Sequence, residues 1–207
     1  MVDFYSGLAL VVGLGFVTAF ASSHAMRHLD RHKDLFFNIQ LLLMLVLGLQ
    51  LFLEGLKPGF NSFLALGLGA FAAFAVSKAL TKLGRARSVS ERLGRLAVLS
   101  LLFVEVVVGT ALGAAFASSL AYGVTIAALA GALSIPRNAL LALSLSGREE
   151  GNLFRTAFSE AVFLVLASSV SFYLLALSSS AVTGAVLAFA SGAVLWLAHQ
   201  EYSARKK

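Results

Sequence analysis

Arg137 is a fixed cation inside an apolar run, and two acids, Glu105 and Glu160, lie inside neighbouring apolar runs. A guanidinium keeps its charge in proteins, and an ionisable group in hydrocarbon is costly unless it finds a partner. Three such side chains can lock helices in register as an ion pair, or they can gate or bind an ion. Glu54 and Glu201 lie nearer the ends of their runs. Pro136 precedes the arginine in Ser134-Ile135-Pro136-Arg137-Asn138. A proline frees a carbonyl one turn back, which predicts a helix break at Ser134 and Pro136, of the kind that lines substrate cavities in transport proteins. His24, His28 and His32 recur at every fourth residue, with Asp30 and Asp34 close by. That spacing puts three imidazoles on one helix face, where two could ligate a divalent metal; the alternative is a partly charged interfacial face. No Ser/His/Asp order, phosphate loop or haem-attachment motif occurs, and Gly13/Gly15 and Gly67/Gly69 sit inside apolar runs rather than in nucleotide loops. The chain is therefore expected to be no enzyme and to need no cofactor.

The elements that must position these groups are set by composition. The chain of 207 residues is 59% hydrophobic and 13% charged, with a mean hydropathy of +0.89. Apolar runs of about 20 residues recur, the length that crosses a bilayer core. The reading is an all-α, polytopic transmembrane bundle forming a single integral membrane domain, with about seven spans near 5–26, 36–56, 60–80, 96–119, 122–146, 153–177 and 181–200. The chain contains no cysteine, so disulfides and thiolate metal sites are excluded. Met1 to Tyr5 carry Asp3 and no basic residue, unlike the start of a cleavable signal peptide, so the first helix is expected to remain.

Charge orients the spans. Basic residues gather in the first loop (Arg27, Arg31, Lys33), in a basic loop over 78–95 (Lys78, Lys82, Arg85, Arg87, Arg92, Arg95), around Arg148 and Arg155, and in the tail (Arg205, Lys206, Lys207). The intervening loops, near Lys57, Tyr122 and Ser179, hold one. The positive-inside rule puts the N-terminus outside, the C-terminus in the cytoplasm and the protein in the cell membrane. The net charge of +6 then reflects cytoplasmic loops and anionic lipid, not nucleic acid. Trp196, beside His199, suits an interfacial anchor. Small residues at Gly109 and Gly113, and again at Ala127 and Gly131, allow helix backbones to approach closely, either within the bundle or between copies.

Depth brings the charges together. Glu105 lies about nine residues past the start of the fourth span and Arg137 about nine before the end of the fifth, so both are roughly 14 Å deep. Antiparallel neighbours at one depth can pair, which predicts an ion pair between Glu105 and Arg137. Glu160, about seven residues into the sixth span, is shallower but near enough to share it.

Spans four to seven resemble the ZIP family of divalent-metal transporters. Val104-Glu105-Val106-Val107-Val108-Gly109 looks like the family's first H-N-x-P-E-G-like motif, and Leu133-Ser134-Ile135-Pro136-Arg137-Asn138 looks like the second. Glu160 falls at a sixth-helix glutamate, and Gly192-Ala193-Val194-Leu195-Trp196, followed by Glu201, resembles the seventh helix. The departures fall on the ligands. Val104 and Leu133 stand at the metal-binding histidine positions, Val108 and Arg137 at the glutamate positions, and only Glu105 and Glu160 remain as carboxylate donors. An arginine there would repel a divalent ion by roughly several kcal/mol. The resemblance thus implies a ZIP-like bundle without the family's metal site, acting as a membrane subunit, scaffold or regulator. The place of the family's eighth helix, which has no counterpart, would be a docking groove for another membrane protein or a second copy. The alternative is an active transporter of a divalent cation or other ion, using Glu105 and Glu160.

Overall fold

In hydrocarbon every backbone N–H and C=O must bond within the protein, so apolar runs of this length become helices. A computed structural model of the chain describes residues 2–24, 30–56, 62–84, 89–144 and 151–205. Those residues form seven α-helices and no strand: α1 (Val2–His24), α2 (Lys33–Gly55), α3 (Ser62–Gly84), α4 (Val89–Ser118), α5 (Leu120–Ser144), α6 (Gly151–Ala176) and α7 (Ser180–Arg205), with a 3₁₀ turn at Asp30–His32 before α2. Six of the helices are long and apolar enough to cross a membrane; in α4 the apolar part is the shorter segment Leu102–Ser118.

Several helices outrun the apolar stretches. α3 reaches Gly84 and α4 begins at Val89, so most of the expected basic loop over 78–95 is helix, with only residues 85–88 lying outside the described residues. Hydropathy drops where the membrane core would end, but Lys, Arg, Glu and Leu are good helix formers and extend the backbone ladder past that point. The turn between α4 and α5 is equally tight. Ser119 alone separates the helices, and its Oγ accepts the Tyr122 backbone N–H at 3.2 Å, capping α5.

Burial sorts the helices into a centre and a ring. In their apolar windows α5 and α7 are 67% and 61% buried, against 22–28% for α1, α2, α3 and α6. α4 joins the centre, burying Val104, Val108, Ala111, Leu112 and Ala115. The ring turns large apolar side chains outward, among them Phe20, Leu49, Phe63, Phe71, Leu166 and Leu174. An apolar surface of that extent suits lipid, not water.

Small residues decide which helices meet. α4 lies along α6, where a Cβ added at Gly109 would sit 2.7 Å from the Leu164 carbonyl oxygen and one at Gly113 would collide with the Ser168 carbonyl. The Gly109/Gly113 face is therefore spent inside the chain and is not open to a second copy. Gly131 of α5 faces Leu14 of α1, its added Cβ 2.8 Å from Leu14 Cδ1. On the other side, α3 and α7 approach each other through Gly69 against the Phe189 carbonyl and Gly192 against the Leu66 carbonyl. α2 also rests on α7, with the Ser191 hydroxyl donating to the Gly48 carbonyl at 2.7 Å.

Candidate functional site

The central helices bring the three interior charges to one place. Glu105 is 3% exposed on α4, Arg137 9% on α5 and Glu160 4% on α6. Each stands among apolar neighbours, because a helix that packs on several sides is apolar on all of them and an interior charge has no polar stripe to join. Arg137 Nη2 is ion-paired with Glu105 Oε1 and donates to Glu160 Oε2 at 3.2 Å. Glu160, although nearer its helix start than Glu105, still reaches the guanidinium.

The expected break at Ser134 and Pro136 is absent: α5 runs as one helix from Leu120 to Ser144 with the proline inside it. Pro136 still withholds an N–H from the carbonyl four residues back. Ser134 donates its hydroxyl to the Gly131 carbonyl at 2.7 Å within the same helix, one residue before the carbonyl that the proline leaves free.

Beside the charges lies a cavity of about 30 Å³ lined by Gly15, Phe16, Ser134, Asn138 and Leu164 as well as by the ion cluster. That is room for a water or two and not for a hydrated metal ion. Asn138, 1% exposed, fixes α1 to the same site. Its Nδ2 donates to the Gly15 carbonyl at 3.0 Å and to Thr18 Oγ1 at 2.7 Å. Thr18 in turn donates to the Leu14 carbonyl at 2.7 Å. Reading the sequence for ionisable groups alone misses this residue, yet a carboxamide in an apolar run must find partners, and that is the signal that marks it. A second neutral amide, Gln40 of α2, escapes such a reading for the same reason; its Nε2 donates to Glu201 Oε2 of α7 at 2.8 Å. Glu201 lies close enough to Arg137 for their charges to interact. Glu54 is remote from this cluster and accepts the Ser118 hydroxyl at 3.0 Å.

The histidines are elsewhere. His24 closes α1, with Nδ1 within 3.0 Å of the Phe20 carbonyl and the Ser23 hydroxyl. His32 belongs to the 3₁₀ turn before α2, so these two do not share one helix face; His28 lies outside the described residues. Among the described residues, no three His, Asp or Glu side chains are grouped to hold a metal ion. Trp196 packs edge-on against Phe74, ring centroids 5.5 Å apart, and so joins α7 to α3.

The site is thus closed: one guanidinium, two carboxylates and a carboxamide knit α1, α4, α5 and α6 around a space the size of solvent. Taking charges out of lipid-excluded water is expensive, but removing one partner from such a cluster costs more than keeping it. No protein-family model, curated protein or solved structure matches this chain.

Proposed function

We propose that this is a multi-pass protein of the cell membrane, N-terminus outside and C-terminus cytoplasmic, whose ZIP-like bundle has given up the metal route and serves as a membrane subunit or scaffold. The observation that carries the reading is the position of Arg137: its guanidinium lies between Glu105 and Glu160, so a permanent cation takes up the carboxylates that a divalent ion would need. The cavity of about 30 Å³ beside it supports the same conclusion, since a dehydrated divalent ion would enter against an adjacent positive charge, a repulsion of roughly several kcal/mol. The orientation rests on the distribution of lysine and arginine between alternate loops. Its partner is a second membrane protein or another copy of the chain.

Uptake of zinc or manganese into proteoliposomes tests this directly. Purified protein should give no uptake above protein-free vesicles. Uptake that Glu105→Ala abolishes would instead make the chain an active carrier of divalent cations through Glu105 and Glu160. Purification in a mild detergent should also yield a stoichiometric partner or a homo-oligomer, and a monodisperse, partner-free monomer would overturn the subunit reading.

A further inference from the structure

A second hollow opens on the flank of the bundle. Glu105 and Val108 turn one face of α4 to the charges, whereas Val106 and Thr110 turn another to a groove of about 540 Å³. The helix packing explains the groove. α6 and α7 both lie against α4 but scarcely touch each other, so a cleft is left between them. α6 lines it with Phe163, Leu166, Val170 and Leu174, and α7 with Val186.

Its length and width decide what fits. From Phe163 to Leu175, both in the lining, α6 rises about 18 Å, a little more than half of a hydrocarbon core about 30 Å thick. Spread over that length, the volume gives a mean cross-section of about 30 Å². A helix about 10 Å across presents roughly 80 Å² and has to run the full thickness. Neither a partner's spanning helix nor one from a second copy enters such a space, but one extended hydrocarbon chain does.

The chemistry of the lining agrees, and independently. The groove has two hydroxyls, and both are spent: Thr110 donates to the Val106 carbonyl at 2.7 Å and Ser171 to the Thr110 carbonyl at 2.9 Å. Helices in lipid associate through polar bonds or small residues, and the small residues here are spent too, since Ala167 and Ser171 face Gly109 and Gly113 of α4. An empty cleft would forfeit dispersion contacts along its lining, and a water needs polar partners that this lining has already used.

We infer that the groove binds one acyl chain of a membrane phospholipid, in the leaflet nearer the C-terminal end of α6. In the orientation proposed above that is the outer leaflet. The acyl chain fills the seam that α6 and α7 leave between them. The inference requires that the protein lie in a bilayer; it does not depend on the loss of the metal route.

Photolabelling of the purified full chain tests it, in phosphatidylcholine vesicles with a trace of phosphatidylcholine carrying a diazirine midway along one acyl chain. The ring helices meet bulk lipid, but between Val104 and Phe116 every residue of α4 except Val106 and Thr110 is buried, and both of these line the groove. Label on that segment therefore reports a chain in the groove, and the wild type should carry it. Val106→Phe and, separately, Val186→Phe fill the groove from two sides and should abolish the α4 label. Val106 is exposed, so its ring has room and that variant should fold. Leu49→Phe, on the outward face of α2, should leave the α4 label unchanged. No α4 label in the wild type, its persistence in both groove-filling variants, or its displacement by an equimolar free fatty acid of the same length would each overturn the inference. The chain has no cysteine, so Leu166→Cys reports on a second copy: it should stay monomeric on oxidation, and a stoichiometric disulfide-linked dimer would give the groove to another copy instead of lipid. Metal uptake in proteoliposomes would sink the closed-bundle reading and leave the α4 label in place.

Discussion

The bundle is held together differently on its two sides. α1, α4, α5 and α6 meet around Arg137, Glu105, Glu160 and Asn138, so their register is fixed by charges and amide bonds that have one satisfying arrangement. α2, α3 and α7 meet through glycines at which one helix backbone rests on another: Gly69 on Phe189, Gly192 on Leu66, and Gly55 against Ala188. Lipid supplies no hydrophobic drive for helices to associate, so they must be joined by close packing or by polar bonds. The second side relies chiefly on packing, with a single acid, Glu201 of α7, held by Gln40 of α2. The first adds a polar core of one guanidinium, two carboxylates and a carboxamide. That difference locates any chemistry on the first side and makes the second a frame for it.

The frame should be the easier side to break. An added methyl at Gly69 or Gly192 would fall on a backbone carbonyl, which cannot turn aside as a side chain can, so α3 must move off α7. Gly69→Ala and Gly192→Ala should therefore abolish monodisperse folded protein in size-exclusion chromatography, the largest effect expected of any single methyl here. Gly67 is the internal control: it lies two residues from Gly69 in the same helix and has nothing within 4 Å of its added Cβ. Gly67→Ala gains the same helix propensity, about 1 kcal/mol, without the collision, and should fold as well as the wild type or better. Equal behaviour of the Gly67 and Gly69 variants would show that α3 does not press on α7.

On the polar side the largest effect belongs to Arg137. Arg137→Met removes the one cation and leaves Glu105 and Glu160 facing each other in an apolar site. Breaking a buried cluster in this way costs about 3–5 kcal/mol, measurable as a lowered unfolding midpoint in mixed micelles. Adding Glu105→Gln and Glu160→Gln to that variant removes the stranded charges and should recover much of the loss. Full stability of Arg137→Met alone would mean that the three side chains are not energetically joined.

How far the sequence discloses all this follows from what each kind of residue must do. Helices are legible because lipid-length apolar runs have no other way to satisfy their backbones. The Glu105–Arg137 contact is legible because helical rise is constant, so counting from the polar ends gives depth, and interior charges must find one another. Asn138 and Gln40 are harder to see, since a neutral amide also needs partners but resembles any polar residue near a span end and does not say which helix supplies them. The use of Gly109 and Gly113 is not legible at all: the spacing allows close approach, but whether α6 or a second copy occupies the face depends on where the other helices go. Pro136 misleads because the sequence shows the loss of one N–H but not the packing around α5, which stays one helix through the proline.

The smallest effects compare single hydrogen bonds across the two sides. Asn138→Leu, with the same branching and number of heavy atoms, removes the bonds to Gly15 and Thr18 that tie α1 to α5, whereas Ser191→Ala removes the one to Gly48 that ties α7 to α2. Interhelical bonds in membranes average about 0.6 kcal/mol and reach about 1.7 at most. Asn138→Leu should fall toward the upper figure, since two bonds are lost and Thr18 is left with its own helix carbonyls as partners. Ser191→Ala should fall at or below the average, because the Gly48 carbonyl lies inside α2 and keeps a helical N–H when the hydroxyl goes. A double-mutant cycle of Asn138→Leu with Thr18→Val isolates one of the two bonds and should return a coupling near the average. If Ser191→Ala proved as damaging as Asn138→Leu, polar bonding would be no more important around Arg137 than in the frame, and the division of the bundle into a charged side and a packed side would lose its energetic basis.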